Sequence, residues 1–244
     1  MIIDIAKRIN KPIDNLCILS KHKFFSEDIE AATKHIVNEF VFYDNIDELI
    51  DFLEKQEKEY VVIVPHFSQI IPTKFLNKYL FVGFHTGNLP NDRGGSPIQN
   101  KILLREYETY INALILSEEV DAGPILLTKE FNLSDGNVDE ILHRMSALIA
   151  QMTVTLCKNF PKPNEQHNSK IRFNRLNKEN SILDGDIKDL IELHDKIRML
   201  DGLDYPKCFL TFHNIKVTFQ NSQINESENR IHAECIIEKI ADVQ

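Results

Sequence analysis

Four short apolar runs, Leu16–Ser20, Phe40–Tyr43, Tyr60–Val64 and Leu80–Phe84, recur about every twenty residues with helix-patterned segments between them. Connections of that length are too long for hairpins and long enough for crossover helices, so the runs read as neighbouring parallel strands. The run around Val61–Val64 is continuously apolar, as a strand covered on both faces requires. A helix is predicted from about Ser26 to His35, with Ser26 as its N-cap. Asn45 opens the next one, with Glu48 three residues on as in a capping box. Residues 1–14 read as a short helix and turn at the edge of the domain.

Downstream, Ser96–Leu104 reads as a helix, with Ser96 capping it and Pro97 at its first position. Strands follow at Tyr110–Ser117 and Ile125–Lys129. Asn137 and Glu140 form a second capping-box pair, opening a long helix that ends near Asn159. Its positions Ile141, Met145, Leu148, Ile149 and Met152 keep helical spacing. Residues 160–170 contain two prolines and no periodic signal, and read as a linker. Beyond it come a helix over Asp186–Met199 and strands at Cys208–Phe212, Lys216–Gln220 and His232–Ile240, with Asn221–Arg230 as a solvated hairpin loop. The chain is therefore read as α/β, a mostly parallel sheet flanked by helices, with a larger domain over 1–160 and a small C-terminal α+β or β module over 171–244.

With 43 % hydrophobic residues the chain has the material for a core, which argues against disorder. A formal charge of −9 argues against bulk binding to nucleic acid, which depends on neutralising phosphates. The four cysteines are far apart and none is in a Cys-x-x-Cys spacing, so they read as reduced thiols of a cytoplasmic protein. Asp4 interrupts the start where a signal peptide would be apolar, and no run approaches a membrane span. Neither a membrane nor a metal is expected, because no His/Cys cluster has ligand spacing.

The chemistry is expected at two strand ends. His85 follows the run Tyr79–Phe84 and leads into Asn88-Leu89-Pro90-Asn91-Asp92-Arg93-Gly94-Gly95-Ser96-Pro97. Asp121 follows the run Ala113–Ser117 and leads into Ala122-Gly123-Pro124. Strand ends that open into Gly-rich loops are where α/β enzymes place their reactive groups. Each candidate also has a plainer reading. His85 alone would be a backbone-satisfied histidine, and Asp121 a turn residue. Arg93 would tie its loop to the surface or bind a phosphate or carboxylate. Gly94 and Gly95 permit close backbone approach, and Ser96 suits an N-cap better than a nucleophile. His66, which leaves a buried strand, is either structural or a pocket residue. Arg172 and Arg175 read as surface charges or as phosphate contacts, and His143 and His194 as solvent-facing helix residues.

Over residues 15–160, the elements His85, Leu89-Pro90, Arg93-Gly94, Pro97 and Asp121-Ala122-Gly123 resemble the 10-formyltetrahydrofolate-dependent formyltransferases. That resemblance implies a Rossmann-like fold and N-formyl transfer with 10-formyltetrahydrofolate as co-substrate. The version Arg93-Gly94-Gly95-Ser96-Pro97-Ile98 and the C-terminal runs Ile197–Asp201 and Tyr205–Leu210 look most like enzymes acting on nucleotide-linked amino-dideoxy sugars for surface glycans or nonulosonic acids. On this reading His85, Asp121 and Asn88 are catalytic. Phe84, Leu89, Val120, Gly123 and Pro124 bind folate, and His66, Arg93, Gly94, Gly95 and Ser96 bind the sugar nucleotide.

The family carries an Asn two residues before the histidine to hold the formyl oxygen, and here Gly83 stands in that place. Asn88, a backbone N–H or His85 itself is the candidate substitute. The alternatives are a methionyl-tRNA formyltransferase-like enzyme, or an inactive folate or nucleotide-sugar binding protein. Residues 161–244 hold 12 Lys/Arg against 14 Asp/Glu, which argues against gripping tRNA. The C-terminal module is a candidate homodimer surface.

Overall fold

The computed structural model describes residues 5–167, 171–184, 186–203 and 205–240. Residues 1–4 of the expected N-terminal helix and turn, and 168–170 of the expected linker, lie outside them.

The central sheet has six strands: β1 (Asn15–Leu19), β2 (Glu39–Tyr43), β3 (Val61–Val64), β4 (Leu80–Thr86), β6 (Glu108–Ile115) and β7 (Ile125–Asn132). Their order is β2-β1-β3-β4-β6-β7. The pairs β1–β2, β1–β3 and β3–β4 are parallel, while β4–β6 is antiparallel. The expected mostly parallel α/β sheet is the observed one, and it reverses direction at β6. The two-residue strand β5 (Arg93–Gly94) pairs with β8 (Ile171–Phe173) in a separate ribbon.

Helices α1 (Lys23–Thr33), α2 (Ile46–Glu54), α3 (Thr73–Leu76), α4 (Pro97–Leu103), α5 (Val138–Lys158) and α6 (Leu190–Arg198) complete the set. All four residues of β3 are buried, as a strand covered on both faces requires. Around it Cys17, Leu19, Leu49, Leu53, Val62 and Phe81 form an apolar cluster.

The local signals performed unevenly. The Asn45 side chain accepts from the backbone N–H groups of Asp47 and Glu48, so that cap is real. The Asn137–Glu140 box closes in both directions, at 2.9 and 3.0 Å. Ser26 is a different case: α1 begins earlier, with His22 at the cap, and the Ser26 hydroxyl donates to the Lys23 carbonyl inside the first turn. Ser96 does stand at the N-cap of α4 with Pro97 behind it, but its φ is 47° and its side chain does not cap.

The chain divides into two compact units with interleaved segments. The first contains residues 1–94, 109–131 and 143–172; the second contains 95–108, 132–142 and 173–244.

In the second unit, β9 (Phe209–Phe212), β10 (Ile215–Asn225) and β11 (Arg230–Lys239) make an antiparallel sheet in the order β11-β10-β9. The expected solvated loop at 221–230 is shorter than the sequence suggests. Strand β10 continues through a bulge between Gln220 and Gln223, and only a single 3₁₀ turn, Glu226–Glu228, separates it from β11. His194 is half-buried rather than solvent-facing, and its Nδ1 lies 2.9 Å from the Ser222 hydroxyl. Burial, reinforced by the charge of Arg198, lowers its pKa. Buried Arg198 in α6 donates to the Leu133 and Gly136 carbonyls and to Asp195, which also accepts from Tyr107.

No helix among the described residues is long and apolar enough to cross a membrane. Cys17, Cys157 and Cys208 are buried free thiols and Cys235 is an exposed one.

Candidate active site

His85 is the penultimate residue of β4, one position further inside the strand than its run of apolar neighbours suggests. The antiparallel register sets it opposite Asn112 of β6. The buried Asn112 amide donates to the carbonyls of Gly87, at 2.6 Å, and His85, at 3.4 Å. It also accepts from Thr128, so the end of β4 is tied across β6 to β7. The His85 side chain is 6 % exposed and has a partner on each side. Its Nδ1 lies 3.3 Å from Asp121 Oδ2. Its Nε2 lies 2.6 Å from the Asp92 carbonyl oxygen. Both ring nitrogens therefore face oxygen atoms, a carboxylate on one side and a backbone carbonyl on the other.

Asp121 leaves β6 through Glu118–Val120 and sits at φ 55°, a left-handed conformation that is uncommon outside glycine. Its Oδ2 also accepts the Gly94 N–H at 3.2 Å. Gly94 reaches it with a φ of 126°, which glycine adopts readily. Burial alone would push the Asp121 carboxyl up. The His85 hydrogen bond and charge, the Gly94 N–H and the Arg93 charge outweigh it and hold the carboxyl below the ordinary carboxylate range.

Asp92, which the sequence did not single out, organises the loop between them. Its carboxylate is 2 % exposed, pairs with Arg172, and accepts the Asn88 N–H at 2.8 Å. Gly87 packs against it so closely that a Cβ there would lie 2.7 Å from the Asp92 Cβ. Arg93 is buried and donates to Gln166, through Nη2 at 3.1 Å, and to the exposed carboxylate of Glu119 at 3.4 Å. Gln166 comes from the stretch expected to be a linker. That stretch docks instead, with Asn164 and Ile125 exchanging backbone hydrogen bonds at 2.8 Å. Prolines hid this, because they suppress periodicity without preventing a short bridge.

Thus His85, Asp121, Arg93 and Gly94 converge. Asn88 is exposed, and its backbone N–H serves Asp92. Phe84, Leu89 and Pro124 are partly buried, while Val120 is half exposed. Gly123 is required by packing: a Cβ there would lie 1.7 Å from the Ile115 carbonyl oxygen. His66 belongs to an aromatic group, 5.5 Å from His22 and stacked 6.0 Å from Phe25. His143 is exposed, with its ring 4.3 Å from that of Phe24. In the second unit, the Gly95 N–H donates to Phe173, and the Ser96 hydroxyl accepts the Leu176 N–H at 3.1 Å.

At Gly83 the structure shows what takes the room of the missing side chain. A Cβ there would lie 2.4 Å from Leu116 Cδ2 and 3.1 Å from Leu116 Cγ. Among the described residues no group of three or more His, Cys, Asp or Glu side chains is arranged to hold a metal ion.

Residues 18–153 match the formyl transferase family model, and residues 177–238 match the model of the methionyl-tRNA formyltransferase C-terminal domain. Among curated relatives, a Campylobacter jejuni methionyl-tRNA formyltransferase is 29 % identical over 152 residues, covering 61 % of this chain and 48 % of its own length. The chain spans about half the length of the curated relatives it matches. A solved methionyl-tRNA formyltransferase from Clostridium thermocellum superposes with a TM-score of 0.84 at 29 % identity, covering 93 % of this chain and all of that one. A 4-N formyltransferase from Francisella tularensis shares the fold, with a TM-score of 0.59 at 15 % identity over 94 % of this chain and 99 % of its own. A HypX structure from Aquifex aeolicus, 19 % identical over 87 % of this chain and 38 % of its own length, is a complex with tetrahydrofolic acid, with a TM-score of 0.66.

Proposed function

Because this chain belongs to the formyl transferase family, we propose that it moves a formyl group from 10-formyltetrahydrofolate to a primary amine. The observation that carries this is the 3.3 Å contact of buried His85, near the end of β4, with Asp121 in the loop between β6 and β7. The amine nitrogen attacks the formyl carbon, leaving an oxyanion on a tetrahedral centre. The bond from that carbon to the folate nitrogen then breaks. The attacking nitrogen loses a proton and the folate nitrogen gains one. His85 Nε2 donates to the formyl oxygen, which replaces the Asp92 carbonyl as its acceptor. Hydrogen bonding to such a developing charge is commonly the largest single contribution to acyl transfer. Asp121 keeps the ring oriented and accepts the amine proton directly or through water. Phe84, Leu89, Val120, Gly123 and Pro124 are assigned to the folate side of the cleft.

For the acceptor, we favour a nucleotide-linked amino-dideoxy sugar, with His66, Arg93 and Gly94 on its side. The acidic balance of residues 161–244, 14 carboxylates against 12 basic residues, supports a small acceptor over a polyanion. Methionyl-tRNA is the second reading, supported by the likeness to the Clostridium thermocellum protein at TM-score 0.84. The two separate in one assay. The protein is mixed with the formyl donor and either a panel of nucleotide-linked amino sugars or methionyl-tRNA, and products are read by mass. A formyl gain on a sugar supports the first reading, and a gain on methionyl-tRNA alone supports the second. Folate binding with no product from either acceptor returns the chain to a binding role.

A further inference from the structure

Gln166 lies in the stretch between α5 and β8, where neither periodicity nor a motif marked it. Its side-chain amide is fully engaged. The nitrogen donates both hydrogens, one to the Asp121 carbonyl at 3.0 Å and one to the Gly123 carbonyl at 2.6 Å. The oxygen accepts from Arg93, through Nη2 at 3.1 Å and Nε at 3.4 Å. Only one orientation of the amide works, since carbonyls need donors and a guanidinium needs an acceptor. No other neutral side chain of this length offers two donors and an acceptor on one flat group.

The turn held in this way is the one that needs holding. Asp121 is in the left-handed region at φ 55°, and its carboxylate must face His85 Nδ1 and the Gly94 N–H together. Gln166 fixes the backbone of that turn from behind, through the carbonyls of Asp121 and Gly123, while its oxygen fixes the Arg93 guanidinium, whose charge acts on Asp121. We propose that Gln166 is a positioning residue for the His85–Asp121 pair, acting through the turn backbone. This rests on the formyl-transfer reading for its kinetic consequence and on geometry alone for its structural one.

Two variants test it, because they remove different halves of the contact. Gln166→Ala removes both. Gln166→Glu keeps an acceptor for Arg93 and strengthens it by a charge, but turns an oxygen toward the two carbonyls. Displacement of a reacting group by about 1 Å costs about 10²-fold in rate. Both variants are therefore expected to lose about 10- to 100-fold in kcat, with KM for the formyl donor changed less than about threefold. Gln166→Glu is expected to be at least as impaired as Gln166→Ala. In both, the acid limb of the pH–rate profile shifts to higher pH, because a misaligned Asp121 loses the partners that hold its carboxyl down.

An unimpaired Gln166→Glu beside an impaired Gln166→Ala would overturn the proposal, leaving Gln166 as an anchor for Arg93 only. Wild-type kcat and pH profile in both would overturn it altogether. Should the wild-type protein transfer no formyl group to any acceptor, the functional reading falls while the positioning claim stays testable. The Asp121 side-chain carboxyl is then followed by NMR against pH. Its midpoint rises in both variants if Gln166 holds the turn that presents it to its partners, and unchanged midpoints overturn the claim.

Discussion

Replacing Gly83 by Asn puts a side chain where the family resemblance expects one, and the structure says what must give way. An added Cβ meets Leu116 Cδ2 at 2.4 Å, about 1 Å closer than an ordinary carbon–carbon contact allows. The obstacle is the end of a flexible side chain on a half-buried residue, so Leu116 changes rotamer rather than blocking the strand. An off-rotamer side chain costs about 0.5–1.5 kcal/mol and overpacking about 1–3 kcal/mol. Gly83→Asn alone is thus expected to cost about 2–3 kcal/mol. Leu116→Ala alone is expected to cost about 1–2 kcal/mol, at the low end for leucine because the residue is only partly buried. The double variant has room for the Asn, so its loss falls below the sum of the singles by about 1–2 kcal/mol of coupling. Urea unfolding of the four proteins reads all three quantities. On formyl transfer, the added amide raises kcat/KM of the double variant above that of Leu116→Ala by up to about 10²-fold, the value of one oxyanion donor. Strictly additive stabilities, or a Gly83→Asn protein as stable as wild type, would refute the claim that Leu116 fills this space.

Three further outcomes follow from the same packing and hydrogen bonds. Gly123→Ala sets a Cβ 1.7 Å from a backbone oxygen that cannot rotate away, and should cost about 3 kcal/mol or more in urea unfolding, well beyond Gly83→Ala. Asp121 has a lowered pKa, so the stability it contributes is present above the unfolded carboxyl value of about 4 and is lost as pH falls through the folded one. Asp121→Asn should therefore flatten the acid-denaturation curve below about pH 4. Removing the two-way cap with Asn137→Ala should cost about 1 kcal/mol, read as a lowered urea midpoint.

Much of the sheet was legible because local chemistry and tertiary burial agree there. The apolar run Val61–Val64 can only be a covered strand, and the Asn137–Glu140 pair announces the start of α5. His85 was legible because it closes an apolar strand run ahead of a glycine, and Asp121 because it follows another such run into a loop with Gly123, although the structure ends β6 at Ile115 and places Asp121 in that loop. What holds them was not. Asn112 meets His85 only through antiparallel register, and Asp92 acts partly through its backbone carbonyl, which carries no sequence identity. Gln166 arrives from 45 residues beyond Asp121 to bind two carbonyls. Ser96 misled in its own way: its place at the start of α4 was readable, but its hydroxyl serves Leu176 and its φ is left-handed. Gly83 signalled a departure, and only the packing of the residue just after β6 shows Leu116 closing over it.

A double-mutant cycle on kcat with His85→Asn, Asp121→Asn and both together tests most directly whether an imidazole and a carboxylate work as one device. Groups acting as a unit show strongly non-additive losses. The double variant is predicted to be no slower than the worse single one, with each single loss about 10²-fold or greater. Losses that multiply independently, or a single variant that keeps wild-type turnover, would contradict the account.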